Sequence, residues 1–289
     1  NLSTGTIMQI RKAERRKAKL RLGIAAPSGA GKTYSALLMA FGIGGKIGLI
    51  DTEHGSGDLY AHLGEYDVIG IEAPYTIKKY VEAIAAFEQA GYTTIIVDSL
   101  SHAWAGDGGL LDKQGKMADR GTNSFAAWRT ITPEHNNLVD AMLKSPCHII
   151  ATMRAKQEYV LETNDKGKQQ PKKVGLAPVQ REGMEYEFTV MLDVDMNHIA
   201  SASKDRTSLF DGQYFKINKD TGSKLLEWLE MGSEAPVFDP IQAISKAANE
   251  DELKSHFTAA WRMSSDADRP ALTAAKDKRK TELTQKEAA

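Results

Sequence analysis

The chain has one cysteine in 289 residues, which excludes an intramolecular disulfide and argues against a cysteine-based zinc site. Cys147 stands in the apolar string Cys-His-Ile-Ile-Ala and reads as a buried strand thiol, not a redox centre. Long apolar runs are missing as well. Nowhere do eighteen consecutive apolar residues occur, and the amino terminus lacks an apolar stretch followed by a small-residue cleavage site. Neither a membrane span nor a signal peptide is therefore expected, and a soluble cytoplasmic protein is. An excess of one charge sign is absent too, with 37 Lys and Arg against 38 Asp and Glu, which excludes a uniformly basic nucleic-acid coat. No internal repeat is visible.

The charge that is present is clustered. Arg11, Lys12, Arg15, Arg16, Lys17, Lys19 and Arg21 face only Glu14 in their stretch, which marks residues 1–19 as a basic N-terminal extension. A second basic segment runs from Arg154 to Arg181. Each could meet phosphate, or be a solvated face or surface loop.

With 42% hydrophobic residues the chain can bury one substantial core and carry an appendage. Short apolar runs at Leu20–Ala25, Ile47–Ile50, Val68–Ile71, Thr94–Val97 and His148–Thr152 read as buried strands. Tyr34–Phe41 and Ile77–Ala90 have helical apolar spacing, and Gly91 closes the second. Strands alternating with helices predict an α/β fold whose mainly parallel sheet is covered on both faces. Phe188–Val194 and His198–Ser203 should pair antiparallel around Asp195-Met196-Asn197 at the sheet edge. These readings give a core over 20–235. Beyond Pro236 the sequence turns alanine-rich and charged, with Leu253, Phe257, Ala260 and Trp261 at helical spacing and a second helix over Pro270–Leu283, so 237–289 reads as a small helical appendage.

Between the first strand and first helix lies Ala26-Pro27-Ser28-Gly29-Ala30-Gly31-Lys32-Thr33, followed by Tyr34. Strand, small-residue loop and helix start are the context that a phosphate-binding loop requires. Gly29 and Gly31 let backbone N–H groups turn inward as an anion nest at a helix N-terminus. Lys32 is expected at the β- and γ-phosphates of ATP, and Thr33 at Mg²⁺. Ala26 departs from the usual glycine. Asp98 ends the apolar run Ile95-Ile96-Val97 and is the expected acid beside the magnesium. Glu53, after the strand ending Ile50-Asp51, can orient water for attack on the γ-phosphate, with Asp51 as its competitor.

Leu49-Ile50-Asp51-Thr52-Glu53-His54, Leu59-Tyr60-Ala61, Leu63-Gly64, Val97-Asp98-Ser99-Leu100 and Ile149–Arg154 together resemble the RecA-like core of recombination ATPases. The resemblance spans about 20 to 210 and is nearest in kind to the compact, core-only proteins of bacteriophages that act as single-strand annealing ATPases. It implies Glu53 as the catalytic glutamate, Asp98 as the magnesium acid and Tyr60 as the aromatic stacked on adenine. Thr152 falls where that family carries a γ-phosphate-sensing glutamine; its shorter hydroxyl can still hydrogen-bond a phosphate or water, but the departure leaves open how nucleotide and DNA binding are coupled. Lys204-Asp205-Arg206 resembles the Lys-x-Arg pair that hexameric helicases of this type insert into a neighbour's nucleotide site. That implies a homo-oligomer, ring or filament, with composite sites.

Arg154–Arg181 falls where the second DNA loop of the family lies. Gln157–Glu162 and Lys172–Leu176 can pair around Asn164-Asp165-Lys166-Gly167. Arg154, Lys156, Lys166, Lys168, Lys172 and Lys173 would contact phosphates, and Tyr159 would stack on a base. The expected function is a Mg²⁺-dependent ATPase that binds single-stranded DNA and promotes annealing or strand exchange in phage recombination. It would work in the host cytoplasm, with a single-strand-binding protein as a further partner. The alternatives are a nucleotide-switched DNA-binding module with negligible turnover and a helicase- or packaging-type motor.

Overall fold

Strands β1 (Arg21–Ala26), β2 (Ile47–Asp51) and β4 (Thr94–Asp98) are buried along their whole length. A strand covered on both faces needs no polar alternation, which is why these segments are continuous apolar runs. The computed structural model describes residues 12–163, 169–233, 240–264 and 268–287. It divides into two units, Asn1–Gly232 and Ser233–Ala289.

The first unit is built on an eight-stranded sheet of order β3-β2-β4-β5-β1-β7-β8. Here β3 is Asp67–Gly70, β5 His148–Thr163, β7 Val190–Val194 and β8 Ala200–Asp205. From β3 to β7 every pairing is parallel, and β8 turns back antiparallel on β7. β6 (Gln169–Pro178) pairs antiparallel with the far half of β5. The α/β class, the parallel core and both antiparallel pairs are as expected.

Alternation of side chains along each strand feeds two cores. Ile95, Val97, Ile149 and Ala151 join Tyr80, Ile84 and Phe87 of α2 (Ile77–Gln89) and Ile131, Leu138 and Met142 of α5 (Ser124–Lys144). Ile96 and Ile150 point the other way, toward Leu37 and Ala40 of α1 (Lys32–Ile43) and Leu225 and Leu229 of α6 (Lys219–Glu230). Where α1 crosses α6 the backbones touch. A Cβ on Gly42 would lie 1.9 Å from the Lys219 carbonyl oxygen, and one on Gly222 2.2 Å from that of Met39. Gly42→Ala is therefore expected to destabilise the protein by about 1–3 kcal/mol despite its better helix propensity. An unchanged urea midpoint would show that the crossing yields without cost.

The region between β4 and β5 holds α3 (Leu100–Ala105), α4 (Leu110–Asp119) and α5, none of which the sequence reading identified. Asn123 caps α5 by accepting a bond from the Ala126 N–H at 2.8 Å. At its other end the buried Arg21 guanidinium bonds four carbonyls, those of Leu20, Leu143, Ser145 and Cys147, and burial pushes its pKa down to about 10. Arg15 bonds the carbonyls of Trp228 and Met231, and Lys17 pairs with Glu230 at 3.0 Å. These cations of the basic N-terminal cluster thus serve helix C-termini, where charge of their sign is favoured.

Two buried histidines make the fold acid-sensitive. His148 accepts a hydrogen bond from the Leu20 N–H at 3.1 Å, and burial first, then nearby cations, pushes His148 and His135 each down to about 4. Between the unfolded value and pH 4 the unfolded chain binds more protons, so this stability is full above the unfolded pKa and is lost as pH falls. Each residue should cost on the order of 2 kcal/mol by pH 5. His148→Gln, which keeps an acceptor for Leu20, is expected to flatten the fall in urea midpoint between pH 7 and pH 5; an equally steep fall would refute the assignment.

The second unit contains α7 (Pro240–Ser245), α8 (Glu250–Met263) and α9 (Arg269–Glu287). Ile244, Ala247, Leu253, Ala260, Leu272 and Leu283 form its own small core, and Arg279 bonds the Ala247 carbonyl beyond α7. Among the described residues no helix is long and apolar enough to cross a membrane.

Candidate nucleotide site

β1 ends at the fully buried Ala26, where alanine meets the core, and the chain turns through Pro27–Gly31 into α1. Gly29 (φ 83°) and Gly31 (φ 86°) are left-handed, and Gly31 caps α1. With a Cβ at either position this backbone would be strained, so the loop's amides depend on glycine. The turn between β7 and β8 leans on the loop: His198 Nδ1 lies 3.0 Å from the Ala30 carbonyl oxygen, and a Cβ on Gly31 would come within 3.4 Å of that nitrogen. Nothing in local spacing marked this contact, because residues 30 and 198 meet only once β7 is laid beside β1.

Parallel register brings the strand ends together. Asp51 pairs with Asp98 across β2 and β4, and Ala26 with Arg154 across β1 and β5. Asp98 is buried, and its carboxylate accepts from the Thr33 hydroxyl on one oxygen and from the Thr152 hydroxyl on the other. Burial raises its pKa, against the pull of both hydroxyls and the charge of Lys32. Thr152, at the position of the family's γ-phosphate-sensing glutamine, is fully buried and its hydroxyl donates to Asp98. Among the described residues no group of three or more His, Cys, Asp or Glu side chains is placed to hold a metal ion. Thr33 and Asp98 nonetheless share one point with hard oxygen donors, a set that suits Mg²⁺ completed by phosphate and water oxygens.

Glu53 follows β2. Its Oε1 accepts from the Ser99 hydroxyl and from Arg154 Nε, each at 3.0 Å, and its Oε2 accepts from Arg154 Nη2 at 2.5 Å. Burial pushes its pKa up, but the bonds and charge of Arg154, with smaller help from His102 and Ser99, outweigh it, and the net shift is downward. Glu53 is therefore ionised and engaged by a two-pronged guanidinium. Asp51, its competitor, is spent on local structure: its two oxygens accept the N–H groups of Glu53 at 2.6 Å and Gly57 at 3.0 Å.

Around this pair lie residues that the sequence reading passed over. Thr52 Oγ1 accepts from the Ser99 N–H at 2.9 Å and meets His102 Nδ1 at 2.7 Å, and Tyr75 stacks on the His102 ring at 4.6 Å. Ser101 Oγ accepts the Arg154 N–H at 2.8 Å. Tyr60, by contrast already expected at adenine, is half-buried in a 3-10 helix over Ser56–Leu63 and meets the ring of Tyr34 edge-on at 5.8 Å.

Arg154, expected on DNA, is paired with Glu53 in this structure. Lys156 is exposed on the same strand. The backbone at Tyr159 and at Lys172 and Lys173 lies in the β5–β6 hairpin, whose pairing runs to Thr163 and Gln169, whereas Lys166 and Lys168 lie outside the described residues. Lys204 and Arg206 do not bond the phosphate loop of their own chain. Lys204 Nζ donates to the carbonyls of Glu185 at 3.2 Å and Tyr186 at 2.5 Å, and Arg206 Nη2 donates to Tyr186 at 3.4 Å.

A phosphate loop between the first strand and helix of a mainly parallel sheet, with an acid at the end of a nearby strand, defines a P-loop nucleotide-binding core. A family model described as an AAA domain matches residues 18–226, and the chain belongs to that family. Among solved structures the chain is similar to the RadB recombinase, with 16% identity, a TM-score of 0.41, and coverage of 71% of this chain and 90% of that one. No curated protein matches.

Proposed function

We propose that the protein is a Mg²⁺-dependent ATPase that binds single-stranded DNA and uses the ATP cycle to promote annealing or strand exchange, in the manner of phage recombination proteins. The observation that carries this reading is the convergence of Thr33, Asp98 and an ionised Glu53 at the ends of parallel strands beside the loop. The RecA-like pattern of those same segments supports recombination as the setting.

In this reading Gly29, Gly31 and the start of α1 bind the phosphates through backbone amides, and Lys32 places a cation on the leaving side. Thr33 and Asp98 would hold Mg²⁺, which when bound neutralises charge on the phosphate oxygens. Thr152 keeps Asp98 oriented, and Glu53 orients the attacking water. Tyr34 and Tyr60 form the edge against which an adenine would rest. Lys204 and Arg206 act on the site of the next subunit, so the working form is an oligomer. Lys156 and the β5–β6 hairpin, with the lysines expected at its tip, take the DNA backbone.

Phosphate release measured with and without magnesium and single-stranded oligonucleotide tests the proposal. Turnover that needs magnesium and rises with DNA is expected; no turnover under any of these conditions would end it. The pairing of Glu53 by Arg154 favours one competitor, a nucleotide-switched DNA-binding module, and that outcome would read as ATP-dependent DNA binding without phosphate release.

A further inference from the structure

The buried hydroxyl of Thr152 is bonded to Asp98, which leaves open what links the nucleotide site to the hairpin. We propose that Arg154 is that link: a positioning residue that restrains Glu53 in the resting protein and frees it when the hairpin is engaged. The proposal rests on the ATPase reading above and names the regulation of its site.

Three observations place Arg154 at the junction. Its side chain occupies both oxygens of the residue assigned to activate water. A carboxylate whose lone pairs are taken by a guanidinium is a poor acceptor for a water proton, and the downward shift of Glu53 weakens it further as a base. Second, the Arg154 backbone is tied on both sides, its N–H to Ser101 Oγ at 2.8 Å and its carbonyl to the Val179 N–H at 2.6 Å. Third, β5 runs without interruption from the register opposite Ala26 into the β5–β6 hairpin, whose pairing begins at the next residue, Ala155 with Pro178. A shift of the hairpin is thus delivered to Arg154 through continuous backbone.

The pair is also able to open. The Arg154 side chain is 45% exposed and that of Glu53 19%, so solvent and incoming phosphates can compete for the guanidinium. Arginine's planar fork suits carboxylate and phosphate alike, which makes exchange between Glu53 and a nucleic-acid or nucleotide phosphate chemically even. Ser99, which bonds Glu53 Oε1, remains to hold the carboxylate in place once the arginine leaves.

The test is steady-state phosphate release by full-length Arg154→Ala and Arg154→Lys with and without a single-stranded oligonucleotide. Binding of a fluorescent ATP analogue and thermal melting serve as controls. Removing the restraint should raise kcat without DNA about tenfold, the scale of one partly screened charge-assisted hydrogen bond, with KM for ATP unchanged. Stimulation by DNA should shrink accordingly. Lysine, which keeps the charge but loses the fork, should fall between parent and alanine, and it carries the test if the alanine variant does not fold. A folded, nucleotide-binding Arg154→Ala whose DNA-free kcat is unchanged or lower would overturn the proposal. A parent without ATP turnover would overturn the ATPase reading, and this one with it; the two failures are told apart by the parent alone.

Discussion

Glu53→Gln should lower kcat for ATP by about 10²–10³-fold while leaving nucleotide affinity within about threefold of the parent. Glutamine is nearly the same size and its one carbonyl oxygen can still accept from Ser99 and Arg154 Nε, so the backbone around it should survive although the bond from Arg154 Nη2 is lost. What it loses is the negative charge needed to draw a proton from water. The split between kcat and affinity is diagnostic, because the groups that bind phosphate lie on β1, the loop and α1, separate from β2. A variant retaining a third or more of the parental kcat would show that another group activates water. Asp51 is a poor substitute, since its oxygens are committed to two backbone N–H groups. The measurement needs quantitative phosphate release under single-turnover and steady-state conditions, so that slow product release does not hide a change in chemistry.

That assignment also shows how far the sequence could be read. Glu53 was the sequence's choice and Asp51, two residues away, its competitor; the structure adds that the turn after β2 consumes Asp51. The parallel core was legible because buried strands leave continuous apolar runs, and the loop because glycine at Gly29 and Gly31 answers a backbone need. The helix α5 was missed although Ala127, Ile131, Leu138 and Met142 trace one buried stripe along it. Pro133 within that stripe removes a backbone donor and argued against a helix 21 residues long, a local cost that tertiary packing overrode. The partner of Arg154 was not legible at all. Glu53 lies 101 residues away, and only the β2-β4-β5-β1 order brings the two together. Read along the chain, Arg154 belonged to a run of cations; in the fold, it belongs to the carboxylate that the catalysis would use.

Arg206→Ala should be the most severe change outside the phosphate loop, with kcat falling about 10³-fold if the residue completes a neighbour's site. Among the described residues the side chains of Arg206 and Lys204 donate to carbonyls of a 3-10 helix over Met184–Glu187, and burial together with the adjacent charge of Arg206 lowers the Lys204 pKa. In the proposed oligomer these two cations, held side by side away from their own loop, would meet the nucleotide phosphates bound by a second copy of the chain. The direct test mixes two inactive variants. Arg206→Ala keeps Glu53 and lacks the arginine; Glu53→Gln keeps the arginine and lacks the base. If the residues act in trans, an equimolar mixture should recover up to about a quarter of parental turnover, because about a quarter of randomly formed head-to-tail interfaces join an intact Glu53 to an intact Arg206. A residue acting in cis gives no such recovery, since every site then carries one of the two lesions. Failure of the mixture under conditions where both variants co-assemble would rule out action of Arg206 on a neighbour's site.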